Sequence, residues 1–369
     1  STLAVTLFPY TTLFRSKYEK HISSISLVLG FVWNAIFLKR VDLFWENFWV
    51  ILHLLIVGIC IILINKFENQ QKLGTFSVSK AKIHFWLVTI MQFTFGGILS
   101  TYLVFYFRSS ALSVTWPFLV VLAVAFVANE RFKNHYHKLN FQISIFYLAI
   151  FSFTIFFVPV LVKKISDMVF LFSGVISLVL IWLFLRLLKK FAKERLGENL
   201  KILLATIFGI FFTINILYFF NLIPPIPIAL KDGGVYHNIS KNTLGQYLLE
   251  DEERNWLSYF NPRDTLHILS SDSLYAYSAV FSPASFRTDI VHEWQYYSSV
   301  TKSWVTASIV PLSTNGGRED GYRTYSKKSN LTEGKWRVNV KTKSGQIIGR
   351  LRFDIIFVDN LPLIHEVQE

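Results

Sequence analysis

The sequence has little that would support covalent or metal chemistry. It contains one cysteine, Cys60, inside an apolar run, so no disulfide forms within the chain and any exported part depends on its core. It has neither a G-x-S-x-G nucleophile motif nor a phosphate-binding P-loop. His237, His267 and His292 do not have metal-ligand spacing. The sequence therefore predicts no catalytic residue, no metal and no cofactor, which favours a non-enzymatic protein.

Charged residues are also scarce, at 17% of the chain, whereas 52% of residues are hydrophobic and 36 are Phe. This apolar excess lies before Lys231, and the remainder has the composition of an ordinary soluble domain. The shift in composition predicts a membrane-embedded half, residues 17–230, followed by a water-exposed half.

Seven apolar stretches of the first half are long enough to cross a bilayer, which takes about 20 helical residues. Their few polar residues, including Asn34, His53, Gln92 and Asn215, predict hydrogen bonds between helices rather than a proton relay. The first stretch is short, and without it the count is six. The predicted spans are Ile22–Leu38, Phe48–Ile64, His84–Phe107, Leu112–Ala128, Phe141–Leu161, Met168–Leu188 and Ile202–Ile223.

Lys and Arg are distributed unevenly between the loops that join these spans, with 15 on one side and 5 on the other. Because cytoplasmic loops are enriched in Lys and Arg, the bias predicts a cytoplasmic N-terminus. Seven crossings then place the chain after Lys231 outside, in the periplasm or at the outer face of a bacterial inner membrane. The same bias accounts for the net charge of +13, so the lipid bilayer is an expected partner and nucleic acid is not.

The segment "TLFPYTTLFRS", Thr6–Ser16, has neither strand nor helix periodicity and is not a convincing signal peptide. Back-translated with permitted codons, it resembles a common sequencing-library adapter. Residues 1–16 are therefore interpreted as an artefact and carry no functional inference. The alternative is a native segment with poor patterning.

Residues 231–265 are predicted to link the two halves. Pro224, Pro225 and Pro227 end the last span, because proline cannot continue a helix. Within the linker, residues 241–260 have the apolar spacing of an amphipathic helix.

Residues 266–369 predict an all-β, sandwich-like domain. Segments rich in Val, Ile, Tyr, Trp and Thr alternate with the turn sequences "SPAS", "STNGGREDG", "SNLTEG" and "KSG". The last two segments read as a hairpin whose inner face carries Trp336, Val338 and Phe353 and whose outer face is a basic stripe. The predicted strands cover residues 274–281, 288–297, 303–310, 321–328, 335–342 and 346–358.

Several motifs in this half resemble a bacterial polytopic membrane family that carries domain of unknown function 2914. They are "LIPPIPIALKDGGVYH", "AVFSPASF", "HEWQYY", "GGREDGYRTYSKKSNLTEGKWRVNV" and "GQIIGRLRFDI", within residues 221–357. The resemblance implies an extracytoplasmic β-domain on a membrane anchor. It implies no catalytic residues, because the activity of the family is not established.

One candidate binding site lies on a single predicted strand. His292, Trp294 and Tyr296 alternate onto one of its faces. They would form a stacking platform for a sugar or a lipid headgroup. The alternative is that they belong to the core.

A second candidate lies in a Gly-rich loop and the strand after it, and consists of Arg318, Arg323, Tyr325, Ser326 and Lys327. Arginine forks suit phosphate and carboxylate groups, and glycines at 316, 317 and 321 would let a partner approach the backbone closely. The alternative is a solvated turn with arginines paired to Glu319 and Asp320.

These observations predict a membrane protein that presents a β-domain to bind an anionic envelope component or a partner protein. The alternative is a transporter or membrane enzyme whose site lies in the helical bundle.

Overall fold

In a computed structural model, the described residues are 31–32, 34–36, 38, 43–72, 78–109, 112–131, 138–224, 227–243, 246–252, 263–282, 287–315 and 321–368. The chain divides into two compact units. One holds most of the helical residues, and the other holds Leu217–Glu369 with the short segments Arg108–Pro117 and Pro159–Phe170.

The N-terminal half is helical, as the apolar composition predicts. Within the described part, five helical segments are long and apolar enough to cross a membrane: Phe44–Asn69, Ile83–Phe107, Leu139–Val162, Asp167–Phe191 and Lys193–Phe219. A sixth apolar segment, Thr115–Val127, is shorter. Most of the predicted span Ile22–Leu38 lies outside the described residues. The helices are α1 Phe44–Lys72, α2 Val78–Arg108, α3 Leu112–Arg131, α4 Leu139–Val162, α5 Asp167–Phe191 and α6 Lys193–Phe219.

The polar residues of the helical unit stabilise it through local and interhelical hydrogen bonds. Asn34 Nδ2 donates to Ser100 Oγ of α2 at 3.0 Å, which confirms the predicted interhelical role. The prediction is wrong for two others, since His53 Nδ1 bonds Trp49 O and Asn215 Nδ2 bonds Phe211 O, each in its own helix. Within a helix, such bonds satisfy a polar side chain without a neighbour.

The C-terminal unit is rich in strands. The described strands are β1 Ala229–Tyr236, β2 Asn238–Lys241, β3 Tyr247–Glu252, β4 Asp264–Ile268, β5 Leu274–Phe281, β6 Arg287–Ser298, β7 Ser303–Asn315, β8 Tyr322–Lys328, β9 Gly334–Thr342, β10 Ile347–Phe357 and β11 Ile364–Gln368. They form three sheets with the orders β1-β5-β8 (the first sheet), β4-β10-β9-β6-β7 (the second sheet) and β11-β3-β2 (the third sheet). β4 and β10 run parallel, and the other pairs are antiparallel.

The first sheet packs against both of the others. Leu274 and Ala276 of β5 belong to a buried cluster with Trp294, Trp336 and residues of β4 and β10 in the second sheet. Their neighbours Tyr277 and Ala279 point the other way and pack against Tyr247 and Leu249 of the third sheet. β5 is therefore buried on both faces, which explains why its sequence is almost continuously apolar.

The predicted strands of residues 274–358 agree with β5–β10 in order and, within a few residues, in bounds. The predicted hairpin is β9–β10, where Arg350 lies opposite Asn339 and Arg352 opposite Arg337. Trp336, Val338 and Phe353 are buried on its inner face, as the alternation predicts.

The linker prediction differs from the structure. Strands begin at Ala229, and residues 247–252 form β3 rather than part of the helix predicted over 241–260. Asn242 and Gln246 exchange hydrogen bonds that close the β2–β3 hairpin, with the Gln246 amide donating to Asn242 Oδ1 at 2.9 Å. Pairing with β2 and β11 overrides the helical spacing of the apolar residues. Residues 253–262 lie outside the described part.

Candidate functional site

Three of the predicted binding residues share one face of β8. Arg323, Tyr325 and Lys327 are alternate residues of this strand, opposite Ala279, Tyr277 and Tyr275 of β5 respectively. Because side chains two residues apart point to the same side of a strand, all three lie on the side that carries the third sheet. β8 is the last strand of the first sheet, so this row of side chains runs along a sheet edge.

Tyrosine rings surround this row. The Tyr325 ring lies 6.1 Å from the ring of Tyr247 in β3 and 6.1 Å from that of Tyr275 in β5. The Tyr247 hydroxyl donates to the Arg323 carbonyl at 3.3 Å. Tyr325 remains 39% exposed, so the cluster is open to solvent at this ring.

Two lysines sit over the faces of these tyrosines. Lys327 Nζ lies 5.4 Å from the Tyr275 ring centroid, and Lys241 Nζ lies 4.6 Å from that of Tyr247. Both distances suit cation–π attraction, which holds flexible lysine side chains near the rings. We call the set of Lys241, Tyr247, Tyr275, Arg323, Tyr325 and Lys327 the β8 surface.

The Gly-rich loop before β8 is only partly described. Arg318, with the glycines at 316 and 317, lies outside the described residues. Gly321 has a φ of +91°, and a Cβ on it would lie 2.9 Å from the Ala279 carbonyl carbon. This glycine therefore allows β8 to lie close to β5. Its role is in packing within the chain and not in the approach of a partner.

The strand that carries His292, Trp294 and Tyr296 faces the protein interior. His292 and Trp294 have no exposed surface. Tyr296 is half-buried, with its ring 5.6 Å from that of Trp336. The three residues do share one face, but the face packs against the first sheet.

His292 is the centre of a polar network inside this packing. Its Nε2 lies 2.9 Å from Ser278 Oγ of β5, and its Nδ1 lies 2.9 Å from Ser326 Oγ of β8. The Trp294 Nε1–H donates to the same Ser326 oxygen at 3.0 Å. Burial lowers the pKa of His292 to about 4, so the ring is neutral at ordinary pH. The network joins the first and second sheets. Because it is closed to solvent, it offers no place for a substrate.

Of the two serines of this network, Ser326 was assigned from the sequence to the second candidate binding site, and Ser278 was not identified. Ser278 and Ser326 are common residue types, and only the register between β5 and β8 brings both to the ring of His292. The one sequence feature that marks these serines is that alternation places both on inward-facing positions. A hydroxyl group at such a position is expected to form a buried hydrogen bond.

Two other histidines bind one carboxylate. Glu252 of β3 accepts from His237 Nε2 at 3.0 Å, from the His267 amide at 2.6 Å and from His267 Nδ1 at 2.8 Å. Burial would raise the pKa of Glu252, but these hydrogen bonds outweigh it and hold the pKa below its usual value. Among the described residues, no group of histidine, cysteine and carboxylate side chains is arranged to hold a metal ion.

Comparison with known proteins gives one sequence match. Residues 287–355 match the family model described as "Protein of unknown function (DUF2914)". The matched segment covers β6 to β9 and most of β10, including Arg323, Tyr325 and Lys327. No curated protein matches the chain.

Among solved structures, the chain is similar to Pseudomonas fluorescens alkylpurine DNA glycosylase AlkC bound to DNA containing an abasic site analogue. The alignment has 9% identity and covers 84% of this chain and 99% of that one, with a TM-score of 0.22. A score this low carries no argument about fold or function.

Proposed function

We propose that this protein is a membrane-anchored binding protein whose β unit captures an acidic glycan of the bacterial envelope on the β8 surface. The observation that carries the proposal is the interleaving of three cations, Lys241, Arg323 and Lys327, with three tyrosines. Tyrosine rings stack on sugar rings, and Arg and Lys pair with the carboxylate or phosphate groups of acidic sugars.

The membrane part of the proposal is supported by the five long apolar helices and the Lys and Arg bias of the loops. We infer seven spans, a cytoplasmic N-terminus and a β unit in the periplasm or outside the cell. The two sheets that enclose Trp294 and Trp336 would act as a sandwich, a rigid platform for the β8 surface.

The orientation predicts the behaviour of a reporter fused after Glu369. Alkaline phosphatase, which is active only outside the cytoplasm, should be active in this fusion. β-Galactosidase at the same position should be inactive. Active β-galactosidase with inactive phosphatase would overturn the inferred span number or orientation.

The β8 surface predicts binding that depends on both charge and sugar rings. We expect the full chain in detergent to bind oligogalacturonate, a polymer of carboxylated sugars, more tightly than neutral dextran or polyglutamate. Tyr325→Ala should weaken this binding about fivefold, in the range of single aromatic contacts. Arg323→Gln combined with Lys327→Gln should weaken it about tenfold, because exposed ion pairs contribute little individually. Calorimetric titration measures each affinity.

The matched control is Lys328→Gln, which removes one charge from the adjacent residue of β8 on the opposite face. It should leave the affinity unchanged. A loss of binding free energy in Lys328→Gln about half that of the double variant, in proportion to the one charge removed, would mean that net charge, rather than the β8 surface, determines binding. If Tyr325→Ala and the double variant both bind as the wild type does, the glycan site is elsewhere.

A further inference from the structure

Three arginines cluster on the outer face of the second sheet. Arg337 of β9 lies directly opposite Arg352 of β10, and Arg350 is two residues before Arg352 on the same strand. Opposite side chains in an antiparallel pair have Cβ atoms about 5 Å apart, and alternate residues of a strand are about 7 Å apart. The Cβ atoms of the three residues therefore form a compact triangle, and we call these three residues the arginine cluster.

Two arginines of the cluster donate a hydrogen bond from Nε to a neighbouring side chain. Arg337 Nε donates to Gln295 Oε1 at 2.7 Å, and its guanidinium carbon lies 4.2 Å from the Trp304 ring centroid. Arg350 Nε donates to Asn339 Oδ1 at 2.6 Å. These contacts fix the direction of both side chains and leave their terminal amino groups for another partner.

Among the described residues, no carboxylate forms an ion pair with the cluster, although the negative charge of Glu293 acts on Arg337 and Arg350. Glu293, the buried acid of this face, pairs with Lys341 and also accepts from Asn339 at 2.9 Å and Thr306 at 3.2 Å. Asp354 pairs with Arg263 at 3.2 Å. Within the described part of the chain, the terminal amino groups of Arg337 and Arg350 and the whole guanidinium of Arg352 have no hydrogen-bond partner.

This arrangement costs stability in the free protein. Like charges directly opposite on a sheet repel each other, and all three side chains are partly withdrawn from water. Burial, followed by the positive charge of Arg337 and Arg352, lowers the pKa of Arg350 to about 10. Perturbed charged groups concentrate at functional sites, and a bound anion would supply opposite charge here.

We propose that the arginine cluster is a binding site for a phosphate group. Guanidinium groups on one face can each donate to an oxygen of a tetrahedral oxyanion, whereas a carboxylate has only two oxygens to offer. Trp304 stacks beneath Arg337 and keeps its fork in place. The site is on a different sheet from the β8 surface, on the face opposite the buried Trp336, so it stands independently of the proposed function.

The test uses the full chain in detergent with two probes that carry the same group. One is inorganic pyrophosphate, and the other is a short-chain phosphatidylglycerol below its micelle concentration. We expect pyrophosphate to bind the wild type and Arg352→Gln to weaken it about tenfold or more, as loss of charge-assisted hydrogen bonds does. Arg352→Lys keeps the charge but not the fork, and should still weaken binding several-fold.

The control is Lys343→Gln, which removes an exposed charge from the turn of the same hairpin and should leave binding unchanged. Competition between the two probes would identify a lipid headgroup as a source of the phosphate, whereas binding of pyrophosphate alone would indicate a soluble source. Failure of both probes to bind the wild type, or equal binding by Arg352→Gln, would overturn the proposal.

A second readout separates binding from a structural role. Without a ligand, Arg352→Gln should raise the temperature at which the β unit becomes sensitive to protease, because it removes the charge opposite Arg337. Pyrophosphate should raise this temperature for the wild type but not for the variant. A lowered temperature together with undiminished pyrophosphate binding would assign Arg352 to the fold alone.

Discussion

Replacing Trp336 with alanine is expected to unfold the β unit, at a cost of about 3–5 kcal/mol as for other large aromatic truncations in cores. The side chain is 2% exposed and belongs to the cluster that joins the first and second sheets. Its Nε1–H donates to the Thr332 carbonyl at 2.7 Å, and its ring packs against Tyr296. The substitution leaves a cavity, and it also leaves a carbonyl without its hydrogen-bond donor.

Urea titration of the full chain, followed by protease sensitivity of the β unit, measures this loss. The matched control is Trp304→Ala, on the same sheet but on its outer face, where the ring is half-exposed beside Arg337. Its cost should be well below that of Trp336→Ala, since less surface leaves water when it packs. Similar midpoints for the two variants would show that Trp336 is not part of the core that stabilises the β unit.

Composition and turn signals predicted β5–β10, and alternation identified the inward faces of β9 and β10 because each has one buried face. In β9, the inward set Trp336, Val338 and Val340 alternates with Arg337 and Asn339, and a shift by one residue would bury the charge of Arg337. The same alternation placed three arginines on the outer face. That Arg337 lies opposite Arg352 depends on the register of the hairpin, which the "KSG" turn constrains only partly.

The strands before residue 266 escaped prediction for local reasons. β1 contains Lys231, Asp232 and the pair Gly233–Gly234, a composition typical of a turn, yet it pairs with β5 over most of its length. In β3, the alternation of apolar and polar residues that includes Tyr247 and Leu249 covers only six residues. It is too short to outweigh the helical spacing of apolar residues, which continues beyond the strand. Long-range pairing determines both segments, and a single sequence does not display it.

The candidate sites show the same limit. The sequence grouped Arg323, Tyr325 and Lys327 on one predicted strand, but the lysine and the tyrosines that complete the β8 surface come from β2, β3 and β5. The sequence showed that His292 and Trp294 share one face of a strand. Whether that face points to the solvent or to the interior depended on a sheet formed by distant strands.

Acidification is expected to destabilise the β unit through His292. The ring is completely buried, and its pKa is lowered to about 4 by desolvation, whereas an unfolded chain binds the proton near 6.5. Between these values the unfolded state binds more protons than the folded state, so stability falls as pH falls. With about 1.4 kcal/mol for each pKa unit, the loss from pH 7 to pH 4 is about 3 kcal/mol.

His292→Gln isolates this contribution, because glutamine cannot be protonated but retains an amide that can bond one of the two serines. At pH 7 the variant should be less stable by about 1–3 kcal/mol, since Ser278 or Ser326 loses a partner. Between pH 6.5 and pH 4 its urea midpoint should fall much less than that of the wild type. Glu252, whose pKa is lowered by His237 and His267, adds a loss only as the pH falls through and below about 4.5, and it does so in both proteins. Parallel pH profiles for the wild type and the variant above this point would show that another group, and not His292, takes up the proton on unfolding.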